Sequence, residues 1–559
     1  METRNVLIAV VLSTLVLVFW ATFFEPPPIK QQAEQNQVTK NDSDSAPSIE
    51  KQIVEKKVSR NESLSSVDRV KLENRNIVGS ISLEGGVIDD ITFKNYKKSL
   101  DKEEKVIFLN PKDSDNGYYI ETGWASSSND TIKLPSNNTI WKLKSGSTLT
   151  PESPLILEWN NNEGLIFTKK IVLDDKFLFK ITQTIKNTSN KSYQFFPYAQ
   201  ITRNYKPKVT PIYILHEGFI GVFGDELKEE DYEDIDEAKY SIDSNKGWLG
   251  ITDKYWLTAI VPEKGKNFKS EFLSTNAKYK ANFIIKEPEI LNPNGSIVNE
   301  VNAFVAAKEV AVIDAYAEKL SIEKFDLAID WGWFYFFTKP LFFIIDYFFR
   351  MTGNFGFAIV IITALVRLIF FPLANYSFRS MAKMKVLQPE MLRLKELHKD
   401  DKVKLQQEMM ALYKREKVNP ISGCLPVLIQ IPFFFAIYKM LYVTLEMRHQ
   451  PFFGWIQDLS ARDPTSIFNL FGLIPWDPPT FLMIGVWPIL MGLSMYLQQK
   501  LNPTPPDPIQ AKIFMFFPLF LTIILAPFPS GLVVYWTVNN ILTIAQQWVI
   551  MRRTKVKTV

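Results

Sequence analysis

The stretch FAIVIITALVRLIFFPL, residues 357–373, decides the fold of this chain of 559 residues. It is apolar apart from Thr363 and Arg367, and it contains no Asp, Glu or His to neutralise the arginine. A charge at membrane depth costs from about 2.5 to over 10 kcal/mol, so it persists only where water, a polar partner or a cavity receives it. The stretch therefore predicts a membrane helix whose Arg367 lines a hydrated groove, with snorkelling to the inner lipid headgroups as the alternative.

Further apolar segments of similar length predict a polytopic α-helical membrane protein with six transmembrane helices. The first segment has no small-x-small cleavage site before the polar sequence that follows it, which favours an uncleaved signal anchor. A cleaved signal peptide remains the alternative. The predicted membrane regions are 1–24, 341–373, 421–443, 481–497, 513–528 and 531–550.

Lys and Arg are distributed unevenly among the loops. Residues 374–420 hold eleven of them against six acids, whereas residues 444–480 hold two against four acids. Because cytoplasmic loops are rich in Lys and Arg, we expect 374–420, the loop 498–512 and the basic tail 551–559 to be cytoplasmic. With six helices, both termini then lie in the cytoplasm, and the loop 444–480 and the large polar region after the first helix lie on the opposite side.

The polar regions differ in composition. Residues 25–65 are rich in Gln, Asn, Ser, Lys and Glu, which predicts a flexible linker. Residues 66–320 alternate apolar and polar positions between turn signals, which predicts a large antiparallel β sandwich.

The aromatic residues of 321–340 predict an interfacial amphipathic helix. Helical spacing of Met and Leu within 374–420 predicts a cytoplasmic helical hairpin, whose apolar stripe either closes the hairpin or docks a partner.

The sequence argues against several classes of function. Neither GxxxxGK[ST] nor GxGxxG is present, so a nucleotide-driven transporter is not expected. All three histidines, His216, His398 and His449, lie outside the predicted transmembrane helices and leave an intramembrane serine protease without a base. The single cysteine, Cys424, provides neither an internal disulfide nor a cysteine metal site, and a net charge of +4 is too small to indicate a nucleic-acid site. We therefore expect no enzymatic activity, no cofactor and no metal.

Neutral polar side chains in the predicted helices are candidates for the same groove as Arg367. Taken singly, each of them is better explained by a hydrogen bond between helices. Taken together with an arginine that lacks a nearby acid, the set favours a hydrated groove. Its members are Thr363, Gln430, Gln498, Thr537, Asn539, Asn540, Gln546 and Gln547.

Several motifs occur along the chain in a characteristic order. They are IITALVR at 361–367, MAKMKVLQP at 381–389, QEMMALY at 407–413, KVNPISGCLP at 417–426 and FPSGLVVY at 528–535. With one anchor and a large extracytoplasmic β domain, the chain resembles the YidC/Oxa/Alb family of membrane protein insertases, in its Gram-negative form with a large periplasmic domain. The resemblance covers essentially the whole chain.

This resemblance implies an insertase and chaperone for nascent proteins of the bacterial inner membrane, acting alone or with the Sec translocon and without nucleotide or metal. It also implies a five-helix insertase core and a periplasmic β-supersandwich. The implied partners are nascent membrane proteins, ribosome–nascent chain complexes, the Sec translocon with its accessory subunits, and the phospholipid bilayer.

The resemblance further implies roles for individual residues. The arginine corresponding to Arg367 lies in a groove that is open to the cytoplasm and to lipid, with Tyr535 and Trp536 beside it. Trp536 stands where a relative has a second tyrosine, so an aromatic contact is kept. Substrate helices are implied to slide along 421–443 and 513–528. The contacting positions are Ile431, Pro432, Phe434 and Leu525.

A protein of another class is compatible with the same features. In it the β domain would assemble structures or bind sugars, and the helices would only anchor it. Exposed aromatic residues stack on sugars, but aromatic residues in strands are more often part of a core. Deleting residues 70–310 distinguishes the two classes, because an insertase retains its function and a binding module loses it.

Overall fold

The computed structural model describes residues 58–127, 132–209, 215–332, 334–399, 401–419, 425–476, 478–479, 483–502 and 508–553. All of them belong to one compact unit, Ala46–Val559. The predicted anchor 1–24 and all but the last residues of the predicted linker 25–65 lie outside the described ranges, as do Cys424 and most of the tail 551–559.

The first half of the described chain is a domain of two β sheets. A short helix, α1 (Arg60–Ser66), precedes it, and a second, α2 (Tyr232–Glu237), interrupts it. The strands are β1 Arg69–Glu73, β2 Ile77–Ser82, β3 Ile88–Lys97, β4 Lys105–Leu109, β5 Tyr118–Ser126, β6 Lys142–Ser145, β7 Thr148–Leu149, β8 Leu155–Asn160, β9 Leu165–Leu173, β10 Leu178–Asn187, β11 Tyr193–Arg203, β12 Gly218–Phe223, β13 Glu226–Glu230, β14 Tyr240–Ser244, β15 Gly247–Thr252, β16 Trp256–Val261, β17 Phe268–Thr275, β18 Lys278–Ile285, β19 Glu289–Leu291 and β20 Ser296–Ala307.

These strands form an eleven-stranded and a nine-stranded sheet. The first has the order β14-β17-β18-β11-β5-β3-β2-β1-β7, with β19 paired to β11 and β4 to β3. The second has the order β13-β12-β15-β16-β20-β10-β9-β8-β6. The pairing is antiparallel except between β1 and β7. Strand β9 illustrates how the strands form a core. Leu165, Phe167 and Ile171 are buried and alternate with more exposed residues, so one face of the strand enters the core. The predicted β-rich domain is confirmed.

The connection from the β domain to the helical region differs from its prediction. Helix α3 (Val310–Lys319) is followed by a 3-10 turn at Phe325–Ala328, and α4 extends over Tyr335–Thr352. The helix expected at 321–340 is therefore displaced toward the C-terminus. The reason lies in Asp326, which accepts hydrogen bonds from Tyr335 and, at 2.8 Å, from Nζ of Lys339. These bonds fix the 3-10 turn against the first turn of α4.

The remaining helices are α5 Phe355–Ile369, α6 Phe371–Leu397, α7 Lys402–Arg415, α8 Leu425–Val443, α9 Val486–Leu501, α10 Pro508–Leu525 and α11 Ser530–Arg553. The predicted membrane region 341–373 therefore covers the end of α4, all of α5 and the first residues of α6. Gly353 ends α4 in a left-handed conformation with φ 70°. The predicted hairpin 374–420 corresponds to α6 and α7, which are joined by an ion pair of 2.7 Å between Arg415 and Glu390. Its cytoplasmic position stays a prediction.

Taken singly, no helix of the described ranges is both long and apolar enough to cross a membrane. Helices α5 and α6 meet that condition only as a pair, across a bend of 68°, and Gln430–Val443 and Ala511–Leu525 are shorter apolar helical segments. Pro372, in the first turn of α6, has no N–H to continue the hydrogen bonding of α5, which accounts for the break. The number of transmembrane helices stays a prediction.

Polar contacts attach the β domain to the helical region. The N–H of Val310 donates to Oε1 of Glu446 at 2.7 Å, and Nη2 of Arg448 donates to the carbonyl oxygen of Lys97 at 2.7 Å. Lys439 of α8 forms an ion pair of 2.7 Å with Asp330. The segment after α8 is thereby fixed between the two parts of the molecule.

Candidate functional site

Arg367 lies in the last turn of α5, and the start of that helix is firmly held. The Asn354 side chain caps the helix by accepting from the N–H of Phe357 at 3.1 Å, and its amide donates to the carbonyl oxygen of Phe452 at 2.7 Å. One face of α5 is buried, including Ala358 and Ile359. This packing directs the Arg367 side chain toward α8 and α11.

The guanidinium of Arg367 is bound mainly by α11. Its Nε and Nη2 donate to Oδ1 of Asn539 at 3.0 and 2.7 Å, and Nη2 also lies 3.3 Å from the Asn539 carbonyl oxygen. The same Nη2 donates to the hydroxyl of Thr543, one turn further along the helix. The hydroxyl of Thr543 in turn donates to the Asn539 carbonyl at 2.6 Å, so these groups form one network.

Helix α8 supplies a third neutral partner. With the Gln430 amide oxygen turned toward the guanidinium, which the hydrogen-bond network requires, that oxygen accepts from Nη1 of Arg367 at 2.7 Å and from Nη2. No carboxylate of the described residues forms an ion pair with Arg367. Most N–H donors of the cation are therefore satisfied by amide, carbonyl and hydroxyl oxygens, while its charge is not neutralised.

A cavity opens beside this network. Its wall is largely apolar, with Arg367, Gln430 and Asn539 on one side. The other lining residues are Leu341, Ile362, Thr363, Val366, Phe370, Leu373, Ala374, Phe433, Ile437, Tyr535 and Gln546. The amide of Gln546 has no hydrogen-bond partner among the described residues, so the cavity offers a further polar group. The arrangement is a polar recess with one positive charge.

Five of the seven predicted groove residues line this cavity: Thr363, Arg367, Gln430, Tyr535 and Asn539. Thr363 contributes little polarity, because its hydroxyl donates to the Ile359 carbonyl within the helix at 2.6 Å. The other two residues lie elsewhere. Trp536 packs against Phe434 with ring centroids 4.8 Å apart, and Gln498 of α9 is not among the lining residues.

Sequence reasoning missed Thr543 as a partner of Arg367. The signal was available, because Thr543 follows Asn539 by four residues and so shares its helix face. Among the described residues, no group of three or more His, Cys, Asp or Glu side chains is placed to hold a metal ion.

The four predicted contact positions for a sliding substrate differ in accessibility. Ile431 is 41% exposed, and Pro432 and Phe434 are half-buried. Leu525 is only 6% exposed, because it packs into an apolar cluster with Met491 and Val533. The accessible apolar face of α10 is formed instead by other residues, namely Phe516, Leu519, Phe520, Ile523 and Ile524.

Comparison with known proteins places these features in a family. Residues 69–344 match the model of the YidC periplasmic domain, and residues 347–557 match that of the 60Kd inner membrane protein. The membrane protein insertase YidC of Pelagibacter ubique is 55% identical over 561 residues, which cover all of both chains. The chain belongs to the YidC family of membrane protein insertases.

A second relative gives the same result. The membrane protein insertase YidC of Bradyrhizobium diazoefficiens is 43% identical, over all of this chain and 97% of the relative. A solved structure titled as an active YidC insertase with its first transmembrane domain resolved is 16% identical, covers 86% of this chain and 92% of that chain, and has a TM-score of 0.35.

Membership of the YidC family confirms two predictions. The family models assign residues 69–344 to a periplasmic domain and residues 347–557 to an inner membrane protein. The relatives are named insertases, and moving a protein into a membrane makes and breaks no covalent bond, so the prediction that the chain is not an enzyme is confirmed.

Proposed function

We propose that the chain inserts nascent inner-membrane proteins and that the Arg367 cavity receives the hydrophilic flank of the substrate during insertion. One observation carries this proposal: the guanidinium of Arg367 is bound by Asn539, Thr543 and Gln430, all of which are neutral. A carboxylate beside the arginine would have cancelled its charge. The neutral partners keep the side chain in place and leave the charge available.

The cavity lowers the free-energy barrier that the hydrophilic flank meets when it crosses the membrane. Polar and charged groups are costly in hydrocarbon, and the cost falls when part of the path runs through a polar recess. Charge-assisted hydrogen bonds are about twice as strong as neutral ones, so an acidic flank competes well for the guanidinium. Because substrate and protein form no covalent bond, the flank then leaves again.

The apolar part of the substrate follows a different surface. We propose that it moves along the exposed side of α8 at Ile431 and the exposed side of α10 at Leu519 and Ile523 into lipid. Transfer from water to an apolar environment contributes about 25 cal/mol per Å² of apolar surface, which drives this step. Leu525 supports that surface from behind through its contacts with Met491 and Val533.

The topology and partners belong to the same proposal. The apolar segments predict six transmembrane helices. The excess of Lys and Arg in 374–420 then puts this hairpin and both termini in the cytoplasm. The cavity would then open to the cytoplasm, where ribosome–nascent chain complexes deliver substrates. Action as a chaperone, alone or with the Sec translocon and its accessory subunits, is proposed from the resemblance.

An insertion assay on the full-length chain tests the role of the charge. The substrate is a single-span protein with an acidic flank, and the variants are Arg367→Ala, Arg367→Lys and Arg367→Glu. We expect Lys to retain most activity, Ala to lose most of it and Glu to be the least active. Arg350→Ala is the matched control, because Arg350 is an exposed arginine paired with Asp346 on α4. Full activity in all three variants would remove the charge from the mechanism.

A further inference from the structure

An apolar loop lies in the connection from α8 to α9, and it comprises residues 467–476. Near the start of the same connection, Glu446 accepts a hydrogen bond from the N–H of Val310, and Arg448 donates one to the carbonyl oxygen of Lys97. Val310 and Lys97 belong to the segment that matches the YidC periplasmic domain. The loop is therefore on the side of the helical region that faces the periplasmic domain.

This loop exposes large apolar side chains. Leu473 is 83% exposed and Phe471 is 54% exposed. The other exposed apolar residues of the loop are Ile467, Phe468, Leu470, Ile474 and Trp476. Charge is nearly absent from the sequence around them, because Asp477 is the only charged residue between Asp463 and Lys500. An exposed surface of several large apolar side chains marks a site of contact with a protein or a membrane.

The backbone N–H groups of these exposed residues are paired within the protein. The N–H of Phe471 donates to the carbonyl oxygen of Ser466 at 2.8 Å, and the N–H of Ile474 donates to the carbonyl oxygen of Asn469 at 3.0 Å. The N–H groups of the five other exposed apolar residues also donate to acceptors of the protein. Lipid offers no partner to a free N–H group, and each such group costs several kcal/mol there. A loop with paired N–H groups can therefore enter lipid at low cost.

The base of the loop is fixed to the first turn of α9. The buried side chain of Asp463 accepts from the N–H of Trp487 at 2.9 Å, and Oγ1 of Thr465 accepts from the N–H of Val486 at 3.0 Å. A Cβ atom on Gly485 would collide with the Asp463 carboxylate, so glycine permits this close approach. The position of the loop is thereby tied to the start of α9.

We propose that residues 467–476 insert into the outer leaflet of the bilayer, where lipid covers their apolar side chains. Chain continuity favours lipid over a protein partner, because the loop leads into α9, which exposes Leu490 and Leu493 and belongs to the segment that matches an inner membrane protein. Trp476 is of a residue type that is enriched at membrane–water interfaces. This contact is separate from the Arg367 cavity, so its test does not depend on the role proposed for that charge.

Spin-label accessibility tests the proposal on the full-length chain in vesicles of phosphatidylethanolamine and phosphatidylglycerol. The single native cysteine, Cys424, is replaced by serine, and a nitroxide is attached to Leu473→Cys or Leu470→Cys, both at exposed positions. Electron paramagnetic resonance compares collisions of the label with oxygen, which concentrates in lipid, and with a nickel chelate, which stays in water. We expect the oxygen-to-nickel ratio at both positions to be shifted to that of a lipid-facing label.

Two labelled variants supply the reference values. Leu493→Cys, at an exposed position of α9, gives the lipid value, and Glu163→Cys, in the exposed turn between β8 and β9, gives the water value. Thermal unfolding shows that each labelled chain is folded. A ratio at position 473 equal to that at position 163 would overturn the proposal and assign the loop to water. Few collisions with either reagent at position 473 would also overturn it, because a second copy or another protein would then cover the loop.

Discussion

Arg367 donates two hydrogen bonds to one oxygen atom, Oδ1 of Asn539, through Nε at 3.0 Å and through Nη2 at 2.7 Å. An amide oxygen in this position orients the planar guanidinium as a carboxylate would, but it adds no negative charge. An arginine that keeps its net charge can bind an acidic substrate, whereas an arginine in an ion pair only stabilises the fold. Replacing one atom of Asn539 tests which description applies to Arg367.

Asn539→Asp makes that change. We expect the aspartate to pair with Arg367, to preserve the fold, and to lower insertion of an acidic-flanked substrate by roughly tenfold or more, equivalent to about 1.4 kcal/mol. The measurement is the insertion assay together with thermal unfolding. Asn540→Asp is the control, because Asn540 bonds to Ser494 at 3.0 Å and not to the arginine. Undiminished insertion by a folded Asn539→Asp variant would contradict the proposed role of the free charge.

Helix α10 has a buried residue, Leu525, that stabilises the fold and an exposed residue, Ile523, that is proposed to contact the substrate. Leu525→Ala removes a buried side chain from the cluster with Met491 and Val533, and we expect it to destabilise the protein by about 2 to 5 kcal/mol. Ile523→Ala alters an exposed position and should change stability by less than about 0.5 kcal/mol while slowing insertion. Thermal unfolding and the insertion assay are measured on both. Unchanged stability in Leu525→Ala would show that the residue is not part of the core.

The stability of the folded state is expected to depend on pH through Glu446, which lies where the β domain meets the helices. Burial raises the pKa of its carboxyl group from 4.5 to about 7, and Oε1 accepts from the N–H of Val310. Because the pKa is higher in the folded state, folding binds a proton between pH 4.5 and 7. The folded state is therefore most stable below pH 4.5, loses this contribution as the pH rises to about 7 and changes no further above that value.

Glu446→Gln keeps an oxygen acceptor and removes the titrating group. We expect the variant to lose the pH dependence and to be more stable than the parent at pH 8 by about 1 to 3 kcal/mol. Hydrogen exchange of the Val310 amide, followed as a function of pH, measures the stability of both proteins. Glu318→Gln, an exposed change on α3, should leave the profile unaltered. A parent profile that is flat between pH 4.5 and 7 would refute the prediction.

The sequence was sufficient to predict the chemistry around Arg367 but not its complete geometry. An arginine without a nearby acid requires polar neighbours, and this energetic argument identified Gln430 and Asn539. The same argument included Gln498 among the groove residues, because the polarity of a residue does not show which face of its helix lines the cavity. Thr543 was missed, although its spacing of four residues from Asn539 puts it on the same face.

The helix boundaries depended on contacts that are distant in sequence. Composition predicted a helix at 321–340, whereas the bonds from Tyr335 and Lys339 to Asp326 put the helix start at Tyr335. The apolar stretch 357–373 read as one straight helix, but α5 ends at Ile369. Leu525 was assigned by resemblance, and its burial by Met491 and Val533 depends on the packing of α9 and α11, which no local pattern reveals.

Photocrosslinking to a stalled nascent membrane protein tests the central claim most directly. A photoreactive residue replaces Gln430 in the Arg367 cavity, and a second variant carries the probe at the exposed Ile431. We predict that the probe at position 430 crosslinks to the acidic flank of the substrate and that the probe at position 431 crosslinks to its apolar span. Crosslinks from position 431 to the span, with none from position 430 to the flank, would contradict the claim that the cavity receives the hydrophilic flank.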